Sequence, residues 1–357
     1  MNKISKIAIV TLYDNINIGN KLQNYATQEL LKKYANEIKT LSYSEAAGLA
    51  PDMGWKGKII AKIGIPPKIA KRKKAILNRR KKFQKFSEKY LDVAPAMDFK
   101  SYNRGFSDKY DLYVVGSDQV WHNWSLTKEE LDFFFLKFAK RNQRICLAPS
   151  FGFRNINKEF ELDYKEGLQG FNIISCREES GCKLIENLTG KKALLLPDPT
   201  LCLDKNRWIK MASKPKFFLP DKFALVYFIG GKSRETEKQI KNISQKEKLN
   251  IIDILDISMP EYYTTSPDEF IYLISRATRV FTDSYHATVF SIIFHVQFNY
   301  FKRNDSTGKE MGDRMETLFN MFNINQNYSQ INYKDIDTIL LNQKSKMDSY
   351  LKLVFGD

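Results

Sequence analysis

Short apolar, β-branched runs alternate along the chain with stretches whose apolar residues recur every three or four positions. Lys6-Ile-Ala-Ile-Val-Thr-Leu12 reads as a first strand, and a polar turn ending at Gly19-Asn20 leads into a helix over about Lys21–Tyr34. Further strands are predicted at Asp111–Val115, Arg144–Ala148, Phe171–Ser175 and Ala193–Leu196. Several end on small or polar residues, and ligands collect at the carboxyl ends of parallel strands. The periodicity lapses between Trp208 and Asp221 and then resumes, with strands at Phe223–Ile229, Asn250–Ile254 and Arg279–Thr282 and helices near Glu235–Lys246, Pro267–Ala277 and Ala287–Phe294. Strands alternating with helices call for parallel sheets. The expected fold class is α/β, two Rossmann-like domains facing a cleft. Residues 1–205 would form the N-terminal domain, with a basic helical insertion at about 55–90. A linker at 206–220, a C-terminal domain at 221–325 and a helical tail at 326–357 would follow.

Composition sharpens this picture in one place. The chain has 357 residues, 43% apolar, enough for two cores, and carries a formal charge of +16. Trp55–Tyr90 holds fourteen Lys/Arg and one acid, Glu88, so most of the excess sits in one segment and the rest is near neutral. That segment is helical in pattern after Pro66-Pro67, with Ile69, Ile76, Phe83 and Phe86 among the charges. Its plainest reading is a solvated amphipathic helix packed on the first domain. Too few aromatics interleave the cations for a single-strand stacking platform, and no helix-turn-helix, zinc or RNP pattern accompanies them, which disfavours nucleic acid. An anionic membrane surface is the better partner for Trp55–Tyr90. Neutralising Lys71–Lys74 and Arg79–Lys82 is then expected to weaken vesicle binding more than turnover. The four cysteines lack CxxC or His-ligand spacing and read as reduced thiols, so a cytoplasmic protein, peripheral at most to the inner face of the membrane, is expected with no metal. No stretch approaches the roughly 20 apolar residues of a membrane span.

Candidate chemistry collects at predicted strand ends. In Val280-Phe-Thr-Asp-Ser-Tyr-His-Ala-Thr-Val-Phe290, Ser284 is a good N-cap and His286 falls in the first helical turn, beside free backbone N–H groups that favour an anion. The alternative is a capping histidine without chemistry. In Asn172-Ile-Ile-Ser-Cys-Arg-Glu-Glu-Ser180, Arg177 could fork onto a ligand carboxylate or phosphate, or pair with Glu178 or Glu179. Tyr113-Val-Val-Gly-Ser-Asp-Gln-Val-Trp121 offers Gly116, Ser117, Asp118 and Gln119, a set suited to sugar hydroxyls or to a simple turn. Lys302 and Arg303 add two cations beyond an apolar run. Phe228-Ile-Gly-Gly-Lys-Ser233 is not a P-loop, because Val226 stands where the first glycine belongs, though its turn could still bind phosphate.

Five blocks together, Asn17-Ile-Gly-Asn-Lys-Leu-Gln-Asn-Tyr-Ala26, Gly116-Ser-Asp-Gln-Val-Trp121, Ser175-Cys-Arg-Glu-Glu-Ser180, Leu196-Pro-Asp-Pro-Thr200 and Thr282-Asp-Ser-Tyr-His-Ala-Thr288, resemble the polysaccharide pyruvyl transferase family. The resemblance implies a glycosyltransferase-B-like fold and transfer of a pyruvyl group from phosphoenolpyruvate to two hydroxyls of a sugar or glycan, free or lipid-linked. Phosphoenolpyruvate is then a co-substrate, and no cofactor is required. The family's essential histidine maps onto His286. Asp118 or Asp283 would orient or deprotonate the acceptor, and Arg177 and Lys302 would hold the donor. Asn20, Gly116, Ser117 and Gln119 would line the acceptor side in the first domain. Some members carry an arginine where this chain has Ser284, itself counted on the donor side with Arg303, so that donor contact would be supplied by Arg303, Arg314 or Lys302, or be absent. A nucleotide-sugar glycosyltransferase on the same scaffold is the rival enzyme. An inactive basic module for membrane or nucleic acid is the rival of another class.

Overall fold

A computed structural model of the chain describes residues 4–14, 16–43, 67–122, 127–303, 312–324 and 333–356. The apolar alternation resolves into two four-stranded parallel sheets. The first consists of β1 (Ile4–Val10), β2 (Ala35–Thr40), β3 (Leu112–Val115) and β4 (Arg144–Cys146) in the order β2-β1-β3-β4, with Ile9 paired to Thr40 on one side and Val114 on the other. A short parallel pair, β5 (Ser175–Cys176) and β6 (Leu194–Leu195), follows. The second sheet consists of β7 (Phe223–Tyr227), β8 (Asn250–Asp253), β9 (Arg279–Thr282) and β10 (Gln297–Tyr300) in the order β10-β9-β7-β8.

Period-two burial explains why both faces of each sheet need cover. Ile7 and Ile9 share a buried cluster with Leu31, Tyr34 and Met347, whereas Ala8 and Val10 share another with Tyr113, Trp121 and Phe138. In the second sheet Phe223, Leu225 and Tyr227 face one cluster and Ala224, Val226 and Phe228 face another. Strands apolar on both faces belong between helical layers. Those layers are α1 (Ile18–Leu31), α2 (Pro67–Tyr90), α3 (Lys128–Phe134), α4 (Glu161–Gln169), α5 (Glu179–Thr189) and α6 (Lys205–Met211) in the first part of the chain. The second part supplies α7 (Arg234–Lys246), α8 (Pro260–Tyr263), α9 (Pro267–Ile274), α10 (Tyr285–Phe294), α11 (Gly312–Met321) and α12 (Ile336–Phe355). Helix α12 returns to the first sheet, where Met347, Tyr350 and Leu351 are buried.

Each sheet has one place where strand order reverses, between β1 and β3 in the first and between β7 and β9 in the second. Ligands bind outside the carboxyl ends of strands at such switch points. The loops leaving these four strands are therefore the natural lining of a site. Strand β2 leaves no apolar run in the sequence, because Asn36, Glu37 and Lys39 make this edge strand polar.

The basic insertion departs from its expected place. Residues 55–66 lie outside the described residues; from Pro67 onward the segment is α2. It packs chiefly on the second domain, Phe83 and Phe86 joining Phe270 and Ile271 in one core. Arg79 is only 2% exposed, and its guanidinium donates to Ile16 O in the first domain and to Tyr263 O and Ile254 O in the second. Lys82 pairs with Glu269. Arg79 thus joins the two domains and Lys82 holds α2 to the second, and neutralising them would disturb that junction instead of testing a docking face. No helix among the described residues is long and apolar enough to cross a membrane.

Candidate active site

The site is built where α1 from the first domain and α10 from the second begin. After β9, Thr282 Oγ1 donates to Tyr227 O, Ser284 N donates back to Thr282 Oγ1 at 2.9 Å, and Ser284 caps α10 by accepting from Ala287 N. This fixed turn places His286 in the first turn of α10, 7% exposed. Its ring lies against Gly19, near the N-terminus of α1, so closely that a Cβ at position 19 would overlap the imidazole, Nδ1 nearest. Only glycine lets the backbone come this near.

His286 Nε2 lies 3.6 Å from Asp198 Oδ2. Asp198 is fully buried in the bend Pro197-Asp198-Pro199, where it accepts from Thr200 N at 2.9 Å and from Thr200 Oγ1 at 2.6 Å. It also faces Arg177 Nη1. Arg177 Nη2 reaches Asp118 Oδ1 at 3.2 Å, and the guanidinium lies 4.5 Å from the Tyr285 ring centroid. The Arg314 guanidinium lies 5.6 Å from the same ring. Five segments distant in sequence therefore meet in one buried charged cluster.

Its electrostatics follow from burial and pairing. Burial would raise the Asp198 carboxyl, but the nearby His286 and the charge of Arg177 hold it well below the carboxylate range. Asp118 is likewise lowered, burial being outweighed by Arg177, His286 and Arg314. Burial would lower Arg177, yet Asp198 and Asp118 keep it raised. Arg314 goes the other way: burial and the like charges of Arg177 and Arg303 pull it down to about 10 against the attraction of Asp118 and Glu178. It stays charged at neutral pH.

The structure separates the residues singled out from the sequence. His286, Asp118 and Arg177 come together. Arg177, however, has its fork occupied by Asp198 and Asp118 and not by Glu178 or Glu179, so it organises the cluster and presents no open fork. Asp283 turns away, accepting from Ile229 N and Gly230 N at 2.7 Å each. Its carboxylate thereby fills the turn considered for phosphate, and Lys232 of that turn pairs with Asp253. Ser117 is buried, its hydroxyl donating to Ala148 O. Gly116 has φ 110° with Leu147 O where a Cβ would stand, and Asn20 Nδ2 donates to Asp14 Oδ2 at 2.7 Å. Gln119 is buried beside Gly152, Ser284 serves as a cap, and Lys302 is exposed. Arg303 acts on both Asp283 and Arg314.

Asp198 and Gly19 stand in two of the five blocks, yet neither draws a role from the sequence. The flanking prolines around a single acid and the isolated glycine before a helix are the available signals.

A family model described as polysaccharide pyruvyl transferase matches residues 17–305. No curated protein sequence matches the chain. Among solved structures, UDP-GlcNAc 2-epimerase from Neisseria meningitidis bound to UDP-GlcNAc is similar at a TM-score of 0.50 and 9% identity, over 99% of this chain and 100% of that one. A Listeria monocytogenes protein assigned as a UDP-N-acetylglucosamine 2-epimerase is similar at a TM-score of 0.50 and 11% identity, over 98% of this chain and 90% of that one. At such identity the likeness concerns the fold, which is glycosyltransferase-B-like.

Proposed function

The chain belongs to the polysaccharide pyruvyl transferase family, and from that premise we propose that it transfers the pyruvyl group of phosphoenolpyruvate onto two hydroxyls of a sugar or glycan, forming a cyclic ketal. Phosphoenolpyruvate is an enol phosphate. Protonating its methylene carbon makes C2 electrophilic; one sugar hydroxyl adds there and loses its proton. Phosphate then leaves, and the other hydroxyl closes the ring and loses its proton in turn. One of the two hydroxyl protons balances the one taken up by carbon, and the other ends on phosphate or solvent. The enzyme must hold two anionic groups and manage these protons.

His286 is the proton donor in this scheme, with Asp198 orienting its imidazole. Asp118, ionised and paired with Arg177, orients acceptor hydroxyls; a carboxyl held so low is a poor base. Arg314 and Arg303 take the carboxylate and phosphate of the donor. The observation that carries this reading is the buried Arg314 guanidinium, 5.6 Å from the ring of Tyr285 next to His286, a cation in the cluster besides the carboxylate-paired Arg177, as an anionic donor requires. Lys302 would serve at the rim. Four free cysteines support a reducing, cytoplasmic setting.

Incubation with labelled phosphoenolpyruvate and candidate glycans, read by mass spectrometry for a pyruvate ketal, tests the reaction. General acid catalysis is worth about 10²–10⁴-fold, so His286→Ala should lower ketal formation by at least about a hundredfold. Near-normal turnover by this variant overturns the assignment. A nucleotide-sugar glycosyltransferase is the second reading, since a neighbour of the same fold binds UDP-GlcNAc; it predicts consumption of the nucleotide sugar and no incorporation of pyruvate.

A further inference from the structure

Helix α2 divides its cations between two faces. On the inner side Ala75, Arg79, Phe83 and Phe86 are buried, and Lys82 is held by Glu269. On the outer side Lys73, Lys74, Lys81 and Lys85 are exposed. Ile69 and Leu77, also outside, are 42% and 55% exposed. Ile69, Lys73, Leu77 and Lys81 follow one another at four-residue spacing and so lie along one stripe. No acid occurs between residues 69 and 87.

The inner contacts fix which way this helix faces. Its outer cations cannot turn toward the protein, and like charges gathered on one face are relieved by a polyanionic surface. The exposed aliphatic side chains decide which kind. Ile69 and Leu77 can enter the headgroup region of a bilayer while the neighbouring ammonium groups stay at lipid phosphates. A single-stranded nucleic acid would call for exposed aromatic stacking partners, and Phe83 and Phe86 are buried in the core.

We propose that the outer face of α2 docks the protein on an anionic lipid surface, with Ile69 and Leu77 entering the headgroup layer and Lys73, Lys74, Lys81 and Lys85 facing lipid phosphates. This rests on the helix alone and holds whether or not the transferase reading does. The test uses the full chain and vesicles of phosphatidylcholine containing phosphatidylglycerol at about one lipid in three. The wild-type chain should bind these vesicles and not pure phosphatidylcholine. Each cation near an anionic surface is worth roughly a fivefold factor. The combined variant Lys73→Gln, Lys74→Gln, Lys81→Gln, Lys85→Gln should therefore bind at least about a hundredfold more weakly. Leu77→Asn should keep low-salt binding and lose binding in high salt, where electrostatic attraction is screened. If the combined variant fails to fold, Lys81→Gln with Lys85→Gln repeats the test, with a loss of at least about tenfold expected. Failure of the wild-type chain to bind anionic vesicles overturns the proposal, as does undiminished binding by the folded charge variants. So does preference for single-stranded RNA or duplex DNA over the vesicles at equal ionic strength.

Discussion

Replacing Asp198 by asparagine tests the centre of the cluster most directly. The carboxamide keeps the size of the side chain and its place beside Thr200 and Ser117, but withdraws the negative charge facing both Arg177 and His286. Removing one partner from a buried ion pair typically costs about 3–5 kcal/mol, because the remaining charge stays buried. Arg177 retains Asp118 at 3.2 Å, which places Asp198→Asn near the lower end, about 3 kcal/mol. With a urea dependence of about 1–3 kcal/mol per molar, the unfolding midpoint should fall by about 1 M or more. The sign with pH is fixed by the direction of the shift. Asp198 is held below the ordinary carboxylate range in the folded chain. Its contribution is therefore full above the unfolded pKa near 4 and disappears as pH falls through the folded value. The gap between wild type and variant should be the same at about pH 7 and pH 5 and should shrink only below about pH 4. Turnover should fall by about 10²-fold or more with His286 no longer oriented. Equal urea midpoints at neutral pH, or a gap that persists unchanged into acid, would mean that Asp198 does not hold the cluster through its charge.

Gly19→Ala should lower turnover by about a hundredfold or more by displacing His286, although alanine favours a helix over glycine by about 1 kcal/mol; full activity in a stable variant would show that the imidazole tolerates a Cβ there. Lys21 is buried over the Tyr13 ring, and burial outweighs the pull of Asp14 to bring its amine down to about 7. The unfolded chain then binds more protons between about pH 7 and pH 10.5, so stability should rise with pH across that window by up to about 1.4 kcal/mol per pH unit. Lys21→Met should flatten that slope and raise the urea midpoint at neutral pH, and an unaltered slope would exclude the buried amine as its origin. Arg314→Met should raise KM for phosphoenolpyruvate by at least about tenfold, the loss of one charge-assisted hydrogen bond, while KM for the glycan stays unchanged; steady-state kinetics with each substrate varied in turn distinguishes the two.

The sheets are legible in the sequence because parallel strands buried on both faces leave unbroken apolar runs, as in Ile7–Val10 and Phe223–Tyr227, whereas β2 carries charged residues at a sheet edge and leaves no such trace. His286 is legible for a local reason: a strand end, an N-cap and a histidine in the first turn lie within a few residues. Asp198 is not, because everything that makes it matter comes from Ser117, Arg177 and His286, scattered from 81 residues before it to 88 after. Sequence shows the acid; only the fold shows its partners.

The basic insertion meets the same limit from another side. Arg79 is one cation among fourteen in the sequence, yet Ala75, Arg79, Phe83 and Phe86 follow at spacings of four, four and three, the pattern of a buried stripe. Helical spacing thus identifies which cation faces inward, provided the charge itself does not disqualify the position. The consequence reaches the site: Arg79 ties Ile16, in the loop that leads into α1, to the second domain, and Arg154 ties the first domain to Asp313 on α11, next to Arg314. The two elements that bring Gly19 and Arg314 to the cluster are each joined across the cleft by an arginine. Geometry around His286 is therefore set by contacts between the domains as much as by the turn that carries it.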